Sequence, residues 1–222
     1  MTMNLFSVFD PSTLYIMNNW VSILLWLIFF PSIFWLILGR MNIMYFYFIK
    51  YIVSEFKPLL LKSSFVLLTI ISVFMFIMFN NVLGLFPYIF CASSHMSLTL
   101  SLALLSWVTL MIYGWINNYK NLLIHLIPQG TPGFLMPFMV LVETISNIIR
   151  PITLSVRLCA NMIAGHLLIS LLSTSLISST LYMSGFLIFG EFALMILETA
   201  VAFIQAYVFS MLFTLYSSEL SY

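Results

Sequence analysis

The residues that could do chemistry in this sequence are few, and most lie within two apolar stretches. The first, residues 143–166, reads ETISNIIRPITLSVRLCANMIAGH. Its centre is Arg157, with hydrocarbon on both sides, and an arginine at that depth of a bilayer is costly and usually marks an ion path. Glu143, Arg150 and Arg157 are each seven apart, so they share one helical stripe. Asn161 lies one turn beyond Arg157. Ala160 and Ala164 are a small-xxx-small pair that lets another helix approach closely. His166, nine residues after Arg157, is about 180° round an ideal helix and faces elsewhere, most simply a second helix. In the later stretch Glu191, Glu198 and Gln205 are again seven apart, and Glu219 is fourteen beyond Gln205.

With the two stretches set antiparallel and Arg157 level with Gln205, Glu143 and Glu219 both fall fourteen residues, roughly 21 Å, toward one end. His166 and Glu198 fall nine and seven residues toward the other. The pattern is two polar half-paths separated by a fixed positive charge. Glu and His pass protons through water, whereas arginine stays protonated and interrupts a proton wire. Taken singly, Arg157 also suits a structural arginine that snorkels or binds helix carbonyls, and His166 a hydrogen-bonded core histidine. The matched depths favour the joint reading.

Composition sets the class. Of 222 residues, 63% are hydrophobic and 6% charged, where a soluble domain has about a quarter charged. That is a polytopic membrane protein. The net charge of +1 gives no basic patch for nucleic acid. Cys91 and Cys159 lack metal or redox spacing, Cys159 falls inside a predicted helix, and no zinc motif or glycine-rich phosphate loop is present, so no cofactor or metal is expected. The opening MTMNLFSVFDPST has no basic residue and no cleavage site, unlike a signal or transit peptide. That suits a bacterial or organelle-encoded product.

Five membrane helices are expected in a single polytopic domain covering 1–222, after an outer N-terminal segment at 1–18. The first span covers 19–38, with a kink at Pro31. Residues 41–62 carry Lys50, Glu55, Lys57 and Lys62 among aromatics, with Pro58 limiting helix length, and read as an interfacial amphipathic segment. The other reading is a loop forming a plain interface belt. Spans at 64–86 and 97–116 follow, then a turn-rich connector at 121–137. Two long apolar segments, 138–172 and 176–216, exceed the roughly 20 residues that cross a bilayer upright. They must tilt, kink or protrude, and a Ser-rich join at 173–179 makes them an antiparallel hairpin. Arg40, Lys50, Lys57, Lys62 and Lys120 all fall on one side by odd–even count, while loops 87–96 and 173–179 carry no Lys or Arg. The basic side is the cytoplasm or matrix, so residues 88–96, Cys91 included, should be reachable only from outside.

The motifs resemble a known family. Arg157-Leu158-x-Ala160-Asn161-x-x-Ala164-Gly165-His166 is similar to the signature of subunit a of F-type ATP synthases, in the membrane F0 sector. Glu143-Thr144-Ile145-Ser146, Gln205-Ala206-Tyr207-Val208-Phe209, Asn80-Asn81-x-x-Gly84-Leu85-x-Pro87 and Gly114-Trp115 fit the same family, so the resemblance covers nearly the whole chain. Histidine at 166 with glutamate at 198 resembles the mitochondrial form, and the opening Asn4-Leu5-Phe6-Ser7-Val8-Phe9-Asp10-Pro11 resembles arthropod members. The resemblance implies a multi-pass protein of the mitochondrial inner membrane that is not itself an enzyme. Its implied partners are a rotating ring of c subunits, other F0 and peripheral-stalk subunits, lipid and protons. Arg157 would face the ring carboxylates, with Gln205 supporting it. His166, Glu198 and Asn161 would belong to the outer half-channel, Glu143 and Glu219 to the inner one. Glu191 lies outside the family pattern and Arg150 varies in type within it. The rival class is a free-standing proton-coupled transporter or a respiratory-complex membrane subunit. A transporter would call for repeated halves, which this sequence lacks.

Overall fold

The computed structural model describes residues 5–12, 19–29, 39–60, 64–127 and 132–221. Among the described residues five α-helices carry the fold: α1 (Arg40–Phe56), α2 (Ser64–Gly84), α3 (Met96–His125), α4 (Met136–Ser178) and α5 (Leu181–Ser221). Short 3-10 segments precede and separate them at Leu5–Phe9, Asn19–Phe29, Lys57–Leu59 and Ala92–Ser94, and there is no strand among the described residues. Four of the α-helices, α2 to α5, are long and apolar enough to cross a membrane. The chain is thus an all-helical, multi-pass membrane protein.

The expected count of five spans is met by four among the described residues. The span expected at 19–38 is described only to Phe29, as an eleven-residue 3-10 helix. At ~2.0 Å per residue it is about 22 Å long, short of the ~30 Å hydrocarbon core. The Pro31 kink and Lys62 lie outside the described residues. This segment still packs on the bundle, with Trp26 edge-on to Phe76 of α2 (5.7 Å) and Trp20 against Phe90 and His95 (5.9 and 5.2 Å).

Three boundaries differ from the sequence expectation. α3 runs past Asn117-Asn118-Tyr119-Lys120 to His125, because a helix that leaves the bilayer tolerates polar residues on exposed turns. The connector expected at 121–137 is therefore shorter. The join expected at 173–179 is only Ser179 and Thr180. Ser173, Ser175 and Ser178 hydrogen-bond the carbonyls three residues back at 2.9, 2.7 and 3.1 Å, so they remain inside α4. In an apolar surround the hydroxyl has no water to bond instead, and the loop signal of serine weakens. α4 and α5, at 43 and 41 residues, are each more than 60 Å long at ~1.5 Å per residue.

The core forms where α5 lies against α2, α3 and α4. Ile70, Phe74 and Ile77 of α2 meet Ala206, Phe209 and Phe213 of α5 and Leu158 of α4 in one buried cluster. α1 adds Ile52, Phe56 and Leu60, spaced four apart along one face of α1 and the turn after it. Phe56, 1% exposed, sits between Phe74 (6.4 Å) and Tyr207 (6.1 Å). Lys50 and Glu55 are exposed, so α1 is apolar on the bundle side and charged elsewhere. α1 ends at Phe56, and Lys57-Pro58-Leu59 forms a 3-10 turn with Pro58 near its start.

The loop between α2 and α3 corrects one expectation. Cys91 is buried, 6% exposed, so it cannot report which side of the membrane the loop faces. Tyr88 is fully exposed and is the one non-glycine residue with positive φ (67°) among those described. A Tyr88→Cys variant should therefore react with an impermeant maleimide from the outer side of sealed vesicles and not from the basic side. Reaction from the basic side would invert the assigned orientation.

Candidate functional site

The site begins with a missing side chain. Gly165 of α4 lies against Glu198 of α5, and a Cβ on Gly165 would stand 2.6 Å from the carboxyl carbon and 3.0 Å from Cγ. A side chain at this position would force the carboxyl group to shift. Glu198 is 4% exposed, and neither of its oxygens has a hydrogen-bond partner among the described residues. An unpaired carboxyl group in a dry apolar interior is strongly penalised, so this position calls for water, a proton or a partner group.

His166 follows Gly165 and is half-buried, with Nε2 unpartnered. It does not hydrogen-bond Glu198 directly. Its ring meets Phe9 edge-on at 6.3 Å, which brings the N-terminal segment over this end of α4. His166 lines a cavity of about 500 Å³ whose wall also includes Phe9, Gly84, Cys91, Glu191 and Met195. Cys91 closes it near Glu198. Burial pushes the Cys91 thiol up, against hydrogen bonds with Ser93 and Ser94 that lower it, and the Glu198 carboxylate pushes it up further. The second thiol, Cys159, donates to the Ser94 carbonyl at 2.8 Å and ties α4 to the same loop.

The Gly165–Glu198 contact sets the register of the two long helices. Arg150 lies over the ring of Tyr216 at 5.0 Å, so α5 ascends as α4 descends and the pair is antiparallel. Eight residues from Gly165 toward that end is Arg157, level with Ala206 and so one residue from Gln205. Gln205 is half-buried, as is Asn161. Arg157 is exposed, and among the described residues it has neither a hydrogen bond nor an ion pair. Beside it Thr153, Val156, Ala160 and Ala164 are exposed on α4, as are Ala200, Phe203 and Tyr207 on α5. The small pair Ala160 and Ala164 thus faces outward, and the close approach between α4 and α5 occurs at Gly165.

At the other end of α4, Arg150 Nη2 pairs with Glu143 Oε1 at 3.4 Å, both about one-third exposed. Two turns of one helix separate them, as their seven-residue spacing requires. Glu219 belongs to α5, three residues beyond Tyr216, and its side chain lies outside the described residues. The structure therefore sorts six of the seven candidates into three levels. His166 lines the cavity and Glu198 lies at its level against Gly165, Arg157, Asn161 and Gln205 lie at the middle level, and Glu143 lies beyond. Sequence reasoning passed over Pro151, buried where α4 meets α3, and over Gly165 as the seat of Glu198. The signal for Gly165 was present: a glycine midway along an apolar helix costs about 1 kcal/mol relative to alanine, and a close approach offsets that.

Residues 4–218 match the family of ATP synthase A chains. The chain belongs to that family. It is 56% identical over 223 residues to ATP synthase subunit a of Locusta migratoria, covering 99% of each chain. It is 54% identical to the subunit a of Drosophila melanogaster over the whole of both chains, and 51% identical to that of Anopheles gambiae over the same extent. The family resemblance of the motifs is thus matched along the full length.

The glycine seat can be tested by stability alone. Gly165→Ala should destabilise the detergent-solubilised protein by about 1–3 kcal/mol, the usual cost of overpacking. Shortening the acid in Gly165→Ala/Glu198→Asp should recover most of that loss. Thermal unfolding of the two variants measures both, and equal stability of Gly165→Ala and the unmodified chain would place Glu198 elsewhere.

Proposed function

We propose that this chain is the proton-translocating stator subunit of an ATP synthase, in the mitochondrial inner membrane. It forms two offset half-channels beside a rotating ring of c subunits, and Arg157 faces the ring carboxylates. The observation that carries this reading is the display of Arg157. A guanidinium with no partner among the described residues stands on an exposed face of small and apolar side chains. In lipid such a group needs an anionic partner, and the small residues around it suit a closely packed helix.

Each part then has a role. A proton reaches the outer half-channel through the cavity, His166 and Glu198, with Asn161 between them and the ring contact. It is handed to a ring carboxylate and leaves after nearly a full turn toward Glu143, with Arg150 holding that carboxylate and Glu219 close to the exit. Arg157 cannot give up its proton at any working pH, so it blocks direct flow between the paths. It also favours the ionised form of the ring carboxylate that passes it, because opposite charges interact strongly at low dielectric. Gln205, level with Arg157 to within a residue, supports its orientation from α5. Peripheral-stalk and other F0 subunits hold the chain against the ring. The chain itself carries out no catalytic step, and ATP is made elsewhere in the complex.

Two substitutions at one position separate the two tasks of Arg157. Arg157→Lys keeps the charge but loses the planar fork, and ATP synthesis should fall by on the order of a hundredfold. Arg157→Ala should abolish coupled synthesis and raise passive proton conductance in vesicles holding the assembled membrane sector. Normal coupled synthesis in Arg157→Ala would refute the role. Separately, Glu198→Leu and His166→Leu should each slow proton flow while the complex still assembles. Unchanged pumping in both would move the outer path elsewhere.

A further inference from the structure

Glu191 has no place in the family pattern, yet it lines the same cavity as His166. It lies ten residues into α5, behind the apolar run Leu181-Tyr182-Met183-Ser184-Gly185-Phe186-Leu187-Ile188-Phe189-Gly190. Along the helix axis that is about 15 Å from the start of α5. A carboxylate there is costly in lipid unless it lines a water-filled space or is paired. Among the described residues Glu191 has no ion pair or hydrogen bond, and it is half-buried. The cavity has room for such water, on the order of ten molecules, and Glu191 and His166 give it polar partners.

The register fixes the order of the groups. With Gly165 opposite Glu198, Glu191 is level with Leu172, six residues outward of His166. Glu191 and Glu198, seven apart, share one face of α5 about 10 Å from each other along the axis. From the outside inward the order is therefore Glu191 and then His166, both in the cavity wall, with Glu198 beyond that wall against Gly165. The other titratable groups around it are Tyr88 and Cys91, both from the α2–α3 loop, and the N-terminal segment contributes Val8 and Phe9, with Asp10 next along the chain. Burial pushes the Cys91 thiol up, so it does not compete for the proton.

We propose that Glu191 is the proton-collecting group of the outer half-channel, an inference that rests on the function proposed above. Its carboxylate takes a proton from outer water, forming an O–H bond. It then returns that proton to cavity water, which carries it to His166 and Glu198, and the carboxylate is regenerated. Nothing is oxidised or reduced. A fixed acceptor at the mouth matters most when outer protons are scarce, because collection then limits the rate.

The test is proton-driven ATP synthesis by the reconstituted complex as outer pH is varied, for Glu191→Gln and Glu191→Asp, with Glu198→Gln as the reference. Glu191→Gln should lower the rate several-fold at about pH 8 and stay within a factor of about two at about pH 6. Glu191→Asp should restore most of the alkaline rate. A Glu191→Gln profile that overlays the unmodified complex at every pH, while Glu198→Gln is impaired, overturns the role of Glu191 and leaves the outer path in place. Full activity of Glu198→Gln as well overturns the outer path itself. A second measurement covers poor assembly of the glutamine variant: Glu191→Cys should react with a small charged thiol reagent from the outer side only. No reaction from that side would overturn the proposal.

Discussion

The structure depends on the cost of charge in hydrocarbon. Every ionisable group inside the apolar helices must face water, a partner or an expected partner, and that requirement decides how α4 and α5 sit. Glu198 turns inward onto Gly165, Glu143 is closed off by Arg150, and Arg157 turns outward. Hydrophobic burial cannot set these choices by itself, because lipid tails are as apolar as leucine and reward no particular helix face. Small residues and polar contacts do. Gly165 lets a carboxyl group stand between the two helices, and the Cys159–Ser94 hydrogen bond pins α4 to the outer loop.

The same cost shapes the hydroxyl groups. Serines and threonines recur along the spanning helices, and Ser155, Ser210 and Thr214 are fully or nearly fully buried. Each bonds the carbonyl three residues back, at 2.7–2.8 Å. In water that bond competes with solvent, and serine reads as a turn residue. In lipid it has no competitor, and serine is a small helical residue that satisfies itself.

That difference explains what could be read from the chain beforehand. The helical class, the family and the period of the polar residues were legible, because a seven-residue spacing survives any tilt of the helix. Helix ends were less so. The Ser-rich stretch at 173–179 was expected to form the join, and only Ser179 and Thr180 do, since the rule applied to the serines assumed water. The α3 terminus ran on for a similar reason, its asparagines reading as a stop where the helix continues for about two further turns to His125. Gly165 signalled only a close approach, and neither its partner Glu198 nor the burial of Cys91 was legible. Both depend on which groups meet across helices distant in sequence, and no local pattern encodes that. Arg150 was assigned only weakly, although its spacing from Glu143 already placed the two on one stripe.

The join of two residues between α4 and α5 has a mechanical consequence. So short a link spans at most about 7 Å, so the two long helices cannot slide past each other by much more than one turn. Whatever inclination the bilayer imposes on one is imposed on the other. The heights of Glu191, Glu198, Arg157 and Glu143 above the membrane plane are then not four independent quantities. They are marks on a single lever, and a change of bilayer thickness that tips the lever moves every one of them in fixed proportion.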